Sequence, residues 1–467
     1  MKKPFIASYN FNFVKKGRNI LISNEFGGWS LIGEADFKKL AAGRLLHGSL
    51  ARELSEKGFA ANRMDMKGMA LGLSKTLFGG WKGPHVHIIS LTQRCNQACA
   101  YCCASAGHGG GGMSRKTAAK TLDFIFSIPC GDLVMEFQGG EPLLNFSVLR
   151  FMVNSARRRA VAQGRRVHFS VVTNLTAMTA AKLEFLVLNG VTICTSLDGP
   201  ASLHDANRRL AGRGTHALVT AWLKKTRVAA KKYPGFEPPN AISTITRASL
   251  AQPERIVDEF IRQGIRRVQL GPLDPLGRAA GGWGALGFSA AEFLAFYSRA
   301  LDYMLALNRR GNPVYEKGAV MFLKEIFGFG RPRYQNLDIF YRLAYNIDGG
   351  VYGSDEARML ANSGDDSFRL GSVQRDSFKR LIKKPTTRLL LLSAFPQLTQ
   401  SACARCPYSV WCRVSPAHNW AAQGSFWGDM MTSQRCAIFK GVFDLLLSRL
   451  SDRAAGPVLR HWSEFEP

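Results

Sequence analysis

The stretch His85-Val86-His87-Ile88-Ile89-Ser90-Leu91, followed after Thr92-Gln93-Arg94 by Cys95-Asn96-Gln97-Ala98-Cys99-Ala100-Tyr101-Cys102, decides how this chain is read. The first seven residues are apolar and alternating enough for a strand. The cysteines then fall in the loop at its C-terminal end, where β/α barrels keep their active sites. Three thiolates at C-x3-C-x2-C spacing can hold three corners of a [4Fe-4S] cluster, whereas four-cysteine ligation leaves no iron open. A zinc knuckle or three buried thiols is the alternative that the spacing leaves standing.

Working outward, 467 residues allow roughly two to four domains at about 100 to 200 residues each. The N-terminal Met1-Lys2-Lys3-Pro4-Phe5 is basic but begins no long apolar segment, and the run Leu389 to Leu392 is far too short to span a bilayer. The expectation is a cytoplasmic protein with no membrane partner. Of ten cysteines, seven lie in two spaced sets, which in that compartment indicates metal or redox chemistry rather than a disulfide framework. Lys and Arg number 62 against 34 Asp and Glu, a formal charge of +28 that favours anionic partners or surfaces. The charge is scattered, through Arg157-Arg158-Arg159, Lys224-Lys225 and Lys231-Lys232, and no nucleic-acid-binding module accompanies it, so nucleic acid is not the expected partner.

Six strand-like runs recur after residue 80, at 85–91, 133–137, 167–173, 192–197, 241–246 and 268–270. Amphipathic segments at 114–127, 146–162, 179–188 and 253–263 separate them, so the pattern is repeated β-α with parallel strands. The fold class expected is α/β, a partial, TIM-like (β/α)6 barrel. Before it, 19–31 reads as two short strands around a glycine turn and 35–54 as one helix. After about residue 280 the rhythm fades into helix, then a hairpin at 343–352 and a cysteine-bearing loop region. The expected division is 1–80, a hairpin-helix domain suited to peptide recognition or to a structural cap; 81–310, the barrel; 311–440, a cysteine domain; and 441–467, a C-terminal helix and tail.

The strand ends carry further chemistry. Gln138-Gly139-Gly140-Glu141-Pro142 follows the second strand, where paired glycines allow close backbone approach and a carboxylate stands beside them. Thr173-Asn174 ends the third strand and Ser196-Leu197-Asp198-Gly199-Pro200 the fourth, with Arg208 beyond. Each also reads as an ordinary turn or a solvated helix residue. Cys103, Cys130 and Cys194 lack partners at ligand spacing and read as buried small hydrophobes. Near the C-terminus, Cys403-x2-Cys406-x5-Cys412 and then Cys436 supply four thiolates that can close a site completely, around iron-sulfur or zinc.

Together these motifs resemble the radical S-adenosylmethionine (SAM) enzymes with a SPASM or twitch extension. Over most of the chain, including Leu343-Ala344-Tyr345-Asn346, Tyr352-Gly353-Ser354-Asp355 and Cys406-Pro407-Tyr408, the sequence looks like the SPASM-type maturase of His-Xaa-Ser peptide systems. The resemblance implies that Cys95, Cys99 and Cys102 hold a [4Fe-4S] cluster whose open iron SAM chelates, and that one electron cleaves SAM to methionine and a 5′-deoxyadenosyl radical. It places Tyr101 near the adenine, Gln138, Gly139, Gly140 and Glu141 at the methionine amino group, and Ser196, Asp198 and Arg208 among the SAM contacts. It makes Cys403, Cys406, Cys412 and Cys436 the ligands of an auxiliary [4Fe-4S] cluster. Ligands of a further auxiliary cluster would fall near Asn336, at Ser354 and around Ser415-Pro416, and none is cysteine, so that cluster is expected to be absent. Asp355 corresponds to the base proposed in sulfatase maturases, or it braces the hairpin. The partners implied are a peptide or protein substrate, with His-Xaa-Ser repeats, and a reductant such as flavodoxin or ferredoxin. Other readings that the residues permit are a sulfatase-type maturase forming formylglycine, an RNA-modifying radical SAM enzyme, and a non-catalytic cluster scaffold.

Overall fold

The computed structural model describes residues 11–24, 27–44, 46–59, 82–107, 109–327, 339–393, 395–412 and 414–464. An N-terminal unit comes first, an antiparallel sheet of β1 (Phe11–Lys16), β2 (Asn19–Asn24) and β3 (Trp29–Gly33) in the order 1-2-3. Strand β1 is an addition to the two strands expected. The single helix expected at 35–54 is broken into Glu34–Ala41 and Gly48–Glu56, because Gly43 and Gly48 take φ of +66° and +72°, outside the helical region. This unit has its own small core, Ile20, Ile22, Ile32, Leu40, Leu46, Leu54 and Phe59. It docks beside the C-terminal cysteines, through Trp29 Nε1 donating to Ile326 O at 2.7 Å and the Lys16–Asp444 ion pair at 2.6 Å.

The central sheet contains the expected parallel strands: β4 (Val86–Thr92), β5 (Asp132–Gly139), β6 (Arg166–Val172) and β7 (Val191–Ser196). Between β7 and the next member, β8 (Arg209–Leu210) and β9 (Arg213–Gly214) make a two-residue ladder. The sheet resumes with β10 (Asn240–Ile245). The run expected at 268–270 divides into β11 (Arg267–Val268), which pairs with β13 (Tyr315–Glu316), and β12 (Leu270–Pro272), which closes the row against β10. The C-terminal hairpin does not stand apart. Its first strand, β14 (Arg342–Tyr345), pairs parallel to β4, and β15 (Gly350–Tyr352) and β16 (Arg369–Ser372) continue antiparallel, giving nine strands in the order 12-10-7-6-5-4-14-15-16. An unpaired β4 would leave a row of backbone donors and acceptors open, and β14 covers them. The expected boundaries at 310 and 440 therefore cut through one sheet and through the helix Gln434–Leu450.

Burial alternates along β5, β7, β10 and the second half of β6, which is unusual for a parallel sheet covered on both faces, while β4 is buried at every position after Val86. On β5, Leu133, Met135 and Phe137 are buried against the outer helices, while Val134, Glu136 and Gln138 are only half-buried. Ser170, Cys194, Ser196 and Thr244 continue that half-buried row on β6, β7 and β10. One face is thus the packed core and the other a polar lumen. The helices Ala290–Arg309, Lys317–Phe327, Gln434–Leu450 and Gly456–Glu464 pack together on the β12 side, around fully buried Trp462 and the Phe322–Phe439–Phe443 rings.

Candidate functional site

The loop after β4 is tied down from several directions. Gly140 N donates to Thr92 O at 2.7 Å and Glu141 N to Arg94 O at 2.8 Å, while Ala98 N and Ala100 N donate to Arg209 O and Asn207 O at 2.8 and 2.9 Å. The glycine pair is explained by this packing. A Cβ on Gly139, at φ +137°, would lie 2.2 Å from Thr92 O, and one on Gly140 would lie 2.2 Å from Arg94 O. Three donors are aimed at the thiols: Gln97 N at Cys95 Sγ (3.4 Å), Asn174 Nδ2 at Cys95 Sγ (3.8 Å) and Arg208 Nη1 at Cys99 Sγ (3.9 Å). Burial pushes the Cys95 thiol up to about 12 and also raises Cys99, against the pull of Arg208. A thiol held that high stays protonated in water and loses its proton to solvent when a metal displaces it.

The strand-end carboxylates turn inward. Glu141 is fully buried, with Oε1 accepting from Thr173 Oγ1 (2.7 Å) and Leu143 N (2.9 Å) and Oε2 from Asn174 N (2.8 Å). Its side chain ties β5 to β6. Asp198 is fully buried as well, accepting from Tyr101 Oη at 2.8 and 2.7 Å, Arg208 Nε at 3.1 Å, Asn207 Nδ2 at 3.2 Å and Thr244 N at 3.4 Å. Behind it His204 Nδ1 accepts from Asp198 N at 3.3 Å, and burial lowers that ring to about 4, so it stays neutral. Asp198 thereby fixes Arg208, whose guanidinium lies 5.0 Å over the Tyr101 ring on its way to Cys99. Ser196, half-buried, ends the lumen row of β7. Gln138 Nε2 donates to Glu136 Oε1 at 2.5 Å in the same lumen.

At the C-terminal site, Cys403 ends up beside Cys406 and Cys436, and Cys412 is raised by burial and by the charges of Cys436, Cys406 and Cys403, so the four thiols share one neighbourhood. Cys436 lies in the first turn of Gln434–Leu450, its N–H capped by Ser433 Oγ at 3.3 Å, and a helix N-terminus favours a thiolate. Trp411 stacks on Phe443 at 4.9 Å to hold the Cys406–Cys412 loop against that helix. Cys412 and Cys436 also border a cavity of about 320 Å³ walled by Phe293, Phe322, Ile438 and Phe439. Among the described residues no three His, Cys, Asp or Glu side chains are placed to hold a single metal ion. The fit of a cluster rests instead on donor chemistry, since a four-iron cube spreads its thiolates more widely than one ion does. Three thiols, with amide and guanidinium donors directed at the Cys95 and Cys99 sulfurs, suit an anionic cluster with one open iron, and four thiols suit a closed one.

Asn336 lies outside the described residues. Ser354 and Pro416 do meet, around a void of only about 20 Å³ walled by Ile339, Phe368, Leu390 and Ala417, room for about one water. Ser354 and Ser415 serve there as helix N-caps, accepting from Ala357 N (3.2 Å) and His418 N (3.4 Å). Asp355 begins the helix Asp355–Asn362 and accepts from Arg358 Nε at 2.7 Å, one turn further along the same helix. Its charge also contributes to raising Glu136 and Cys103. Sequence reasoning missed Arg278, which donates from N to Cys102 O (3.0 Å), from Nη1 to Cys99 O (2.9 Å) and from Nη2 to Ala106 O. The available signal was the Pro275-Leu276-Gly277-Arg278 turn at the end of the last barrel strand.

No helix among the described residues is long and apolar enough to cross a membrane. The Radical SAM superfamily model matches residues 89–232. Among curated proteins, an uncharacterized protein of Methanocaldococcus jannaschii is 26% identical over 232 residues, 49% of this chain and 73% of that protein. The cysteine-type anaerobic sulfatase-maturating enzyme of Clostridium perfringens is 22% identical over 328 residues, 68% and 85% of the two chains. Among solved structures, native anSMEcpe with bound AdoMet and Cp18Cys peptide superposes with a TM-score of 0.65 at 20% identity, covering 80% of this chain and all of that one. Streptococcus suis SuiB bound to precursor peptide SuiA gives 0.54 at 12% identity, covering 91% and 98%. At these identities the structural likenesses speak for the fold. The family model over residues 89–232, with the three-cysteine loop at the mouth of a partial barrel, shows that the chain carries a radical SAM domain, of the family whose cofactors are a [4Fe-4S] cluster and S-adenosylmethionine.

Proposed function

We propose that this chain is a radical SAM maturase that modifies a ribosomally made peptide in a His-Xaa-Ser-type system. The observation that carries the reading is the second cysteine centre, Cys403, Cys406, Cys412 and Cys436, gathered on the β12 side of the radical SAM barrel. It is supported by fold likeness to two proteins solved with peptides, anSMEcpe and SuiB. When bound, the cluster and SAM supply a 5′-deoxyadenosyl radical that removes a hydrogen atom from a substrate carbon. Cys95, Cys99 and Cys102 would hold that cluster, and Arg208, steered by Asp198 and Tyr101, would present a cation to the SAM carboxylate. Ser196, Gln138 and the 139–141 backbone would line the rest of the SAM site. Asp355 would accept the substrate proton, releasing its bond from Arg358 as it does so. One auxiliary cluster fits this chain, because the space around Ser354 and Pro416 is filled with Ile339, Phe368 and Leu390.

The 22% identity to the sulfatase-maturating enzyme over most of its length favours one other reading, oxidation of a Cys or Ser to formylglycine. Anaerobic incubation of the reconstituted protein with SAM, reductant and candidate peptides separates the two by product mass. A His-Xaa-Ser peptide lighter by two hydrogens supports the cross-linking reading, and an aldehyde on a Cys- or Ser-containing peptide supports the other. An intact cluster that yields no 5′-deoxyadenosine would sink both.

A further inference from the structure

We propose that Arg278 is a positioning residue for the SAM-binding cluster, acting through the backbone of the cysteine loop and through its charge. One residue reaches three carbonyls of that loop, Cys99 O and Ala106 O from its guanidinium and Cys102 O from its own N–H at 3.0 Å. Two of these carbonyls belong to cysteines meant to hold iron, so a shift of Arg278 moves the ligands themselves. Gly277 brings it there. Its φ is +54°, and a Cβ would lie 2.4 Å from Cys103 O and 2.7 Å from Cys102 O, so the approach is open to glycine alone.

The segment is anchored at its other end. Asp274 Oδ1 stands 3.2 Å from His418 Nδ1 and Oδ2 3.8 Å from Arg435 Nη1, with Arg435 next to Cys436. The Cys103 thiol points at Asp274 O at 3.9 Å. Residues 274–278 therefore form a short strut from the C-terminal cysteine region to the loop of the first one. A purely structural arginine would hold the loop equally well with its charge removed, provided its hydrogen bonds were kept. Here the charge counts too. Arg278 at Cys99 O and Arg208 at Cys99 Sγ place two guanidiniums around one thiol, and net charge beside a cluster is a lever on its potential.

The test uses the full-length, anaerobically reconstituted protein, with Arg278→Lys and Arg278→Gln, and rests on the radical SAM domain rather than on the peptide reading. Three quantities are read: iron per chain, the electron paramagnetic resonance (EPR) signal that changes on adding SAM, and its midpoint in a redox titration. The SAM-insensitive signal of the second centre serves as the folding control. Arg278→Gln should lose at least half of the SAM-responsive signal while the control stays. What remains should be harder to reduce by about tenfold in the reduced-to-oxidised ratio, about 59 mV for one electron. Arg278→Lys should also lose signal, having no fork, but keep its midpoint near wild type. Wild-type signal and midpoint in both variants would overturn the proposal, and so would equal loss of both signals in both variants, which is unfolding rather than positioning. Because no peptide is present, failure here leaves the peptide reading to its own assay.

Discussion

Replacing Asp198 by asparagine keeps its volume and removes one acceptor oxygen from a place where four donors converge. Tyr101 Oη, Arg208 Nε, Asn207 Nδ2 and Thr244 N all point at this carboxylate, within 2.7 to 3.4 Å. The new amide NH2 would face at least one of those donors, and Arg208, 8% exposed, would lose its counter-charge. Breaking a buried pair from one side costs about 3 to 5 kcal/mol. The retained oxygen keeps part of the bonding, so about 3 kcal/mol is expected, or roughly a hundredfold more frequent local opening. The amides that report it are Ala98 and Ala100, because they donate to Arg209 O and Asn207 O on the segment that Asp198 organises. Hydrogen exchange followed by mass spectrometry should show their protection falling about a hundredfold. SAM binding should weaken about tenfold or more as Arg208 loses its aim at Cys99. Unchanged protection in these amides would refute the claim that Asp198 works as an internal bracket rather than as a ligand contact.

Four other outcomes follow from the same geometry. Gly139→Ala should abolish loading of the first cluster, since its Cβ would lie 2.2 Å from Thr92 O; an iron count equal to wild type would show that the loop can yield. Cys412→Ser should take reconstituted iron from about eight to about four per chain, with the SAM-responsive signal retained. Ser354→Cys should add no iron, because the void beside it is about 20 Å³; four additional irons would reopen the case for a further cluster. His204 and His87 are held neutral by burial, at about 4 and about 3 against an ordinary 6.5. The unfolded chain therefore binds more protons than the folded one between those values. Their contribution is intact above about pH 6.5 and is lost as pH falls, by about 2 kcal/mol per ring at about pH 5. Urea midpoints at the two pH values should differ accordingly, and the difference should shrink in His87→Gln.

The parallel strands, the cysteine loop and the strand-end motifs were legible in the sequence because each depends on local pattern: a strand-like run for β5, a spacing for Cys95 to Cys102, an amphipathic period for the helix Arg115–Phe126. What was illegible is the direction of side chains and contacts made over long range. Glu141 and Asp198 sit at strand ends, as expected, yet sequence gives the residue type there and not the donors that will claim it. Thr173 and Asn174 for one, Tyr101 and Arg208 for the other, lie on different strands and loops. Arg278 meets Cys99 across 179 residues, and β14 meets β4 across a still longer stretch of chain.

These contacts change what the site can do. Both carboxylates are held by protein donors rather than presented to a ligand, and their charges still raise the Cys95 and Cys99 thiols. The groups that still face the thiols are Asn174 Nδ2, Arg208 Nη1 and, at the carbonyl behind Cys99, Arg278. The amide and guanidinium donors directed at Cys95 and Cys99 suit an anionic cluster and the carboxylate of its ligand. The chain's overall +28 could not have indicated this, because most of that charge lies on scattered surface positions. The decisive charges are two arginines, one fixed by a carboxylate that the sequence had assigned to the cofactor, the other delivered by a glycine turn that it had passed over.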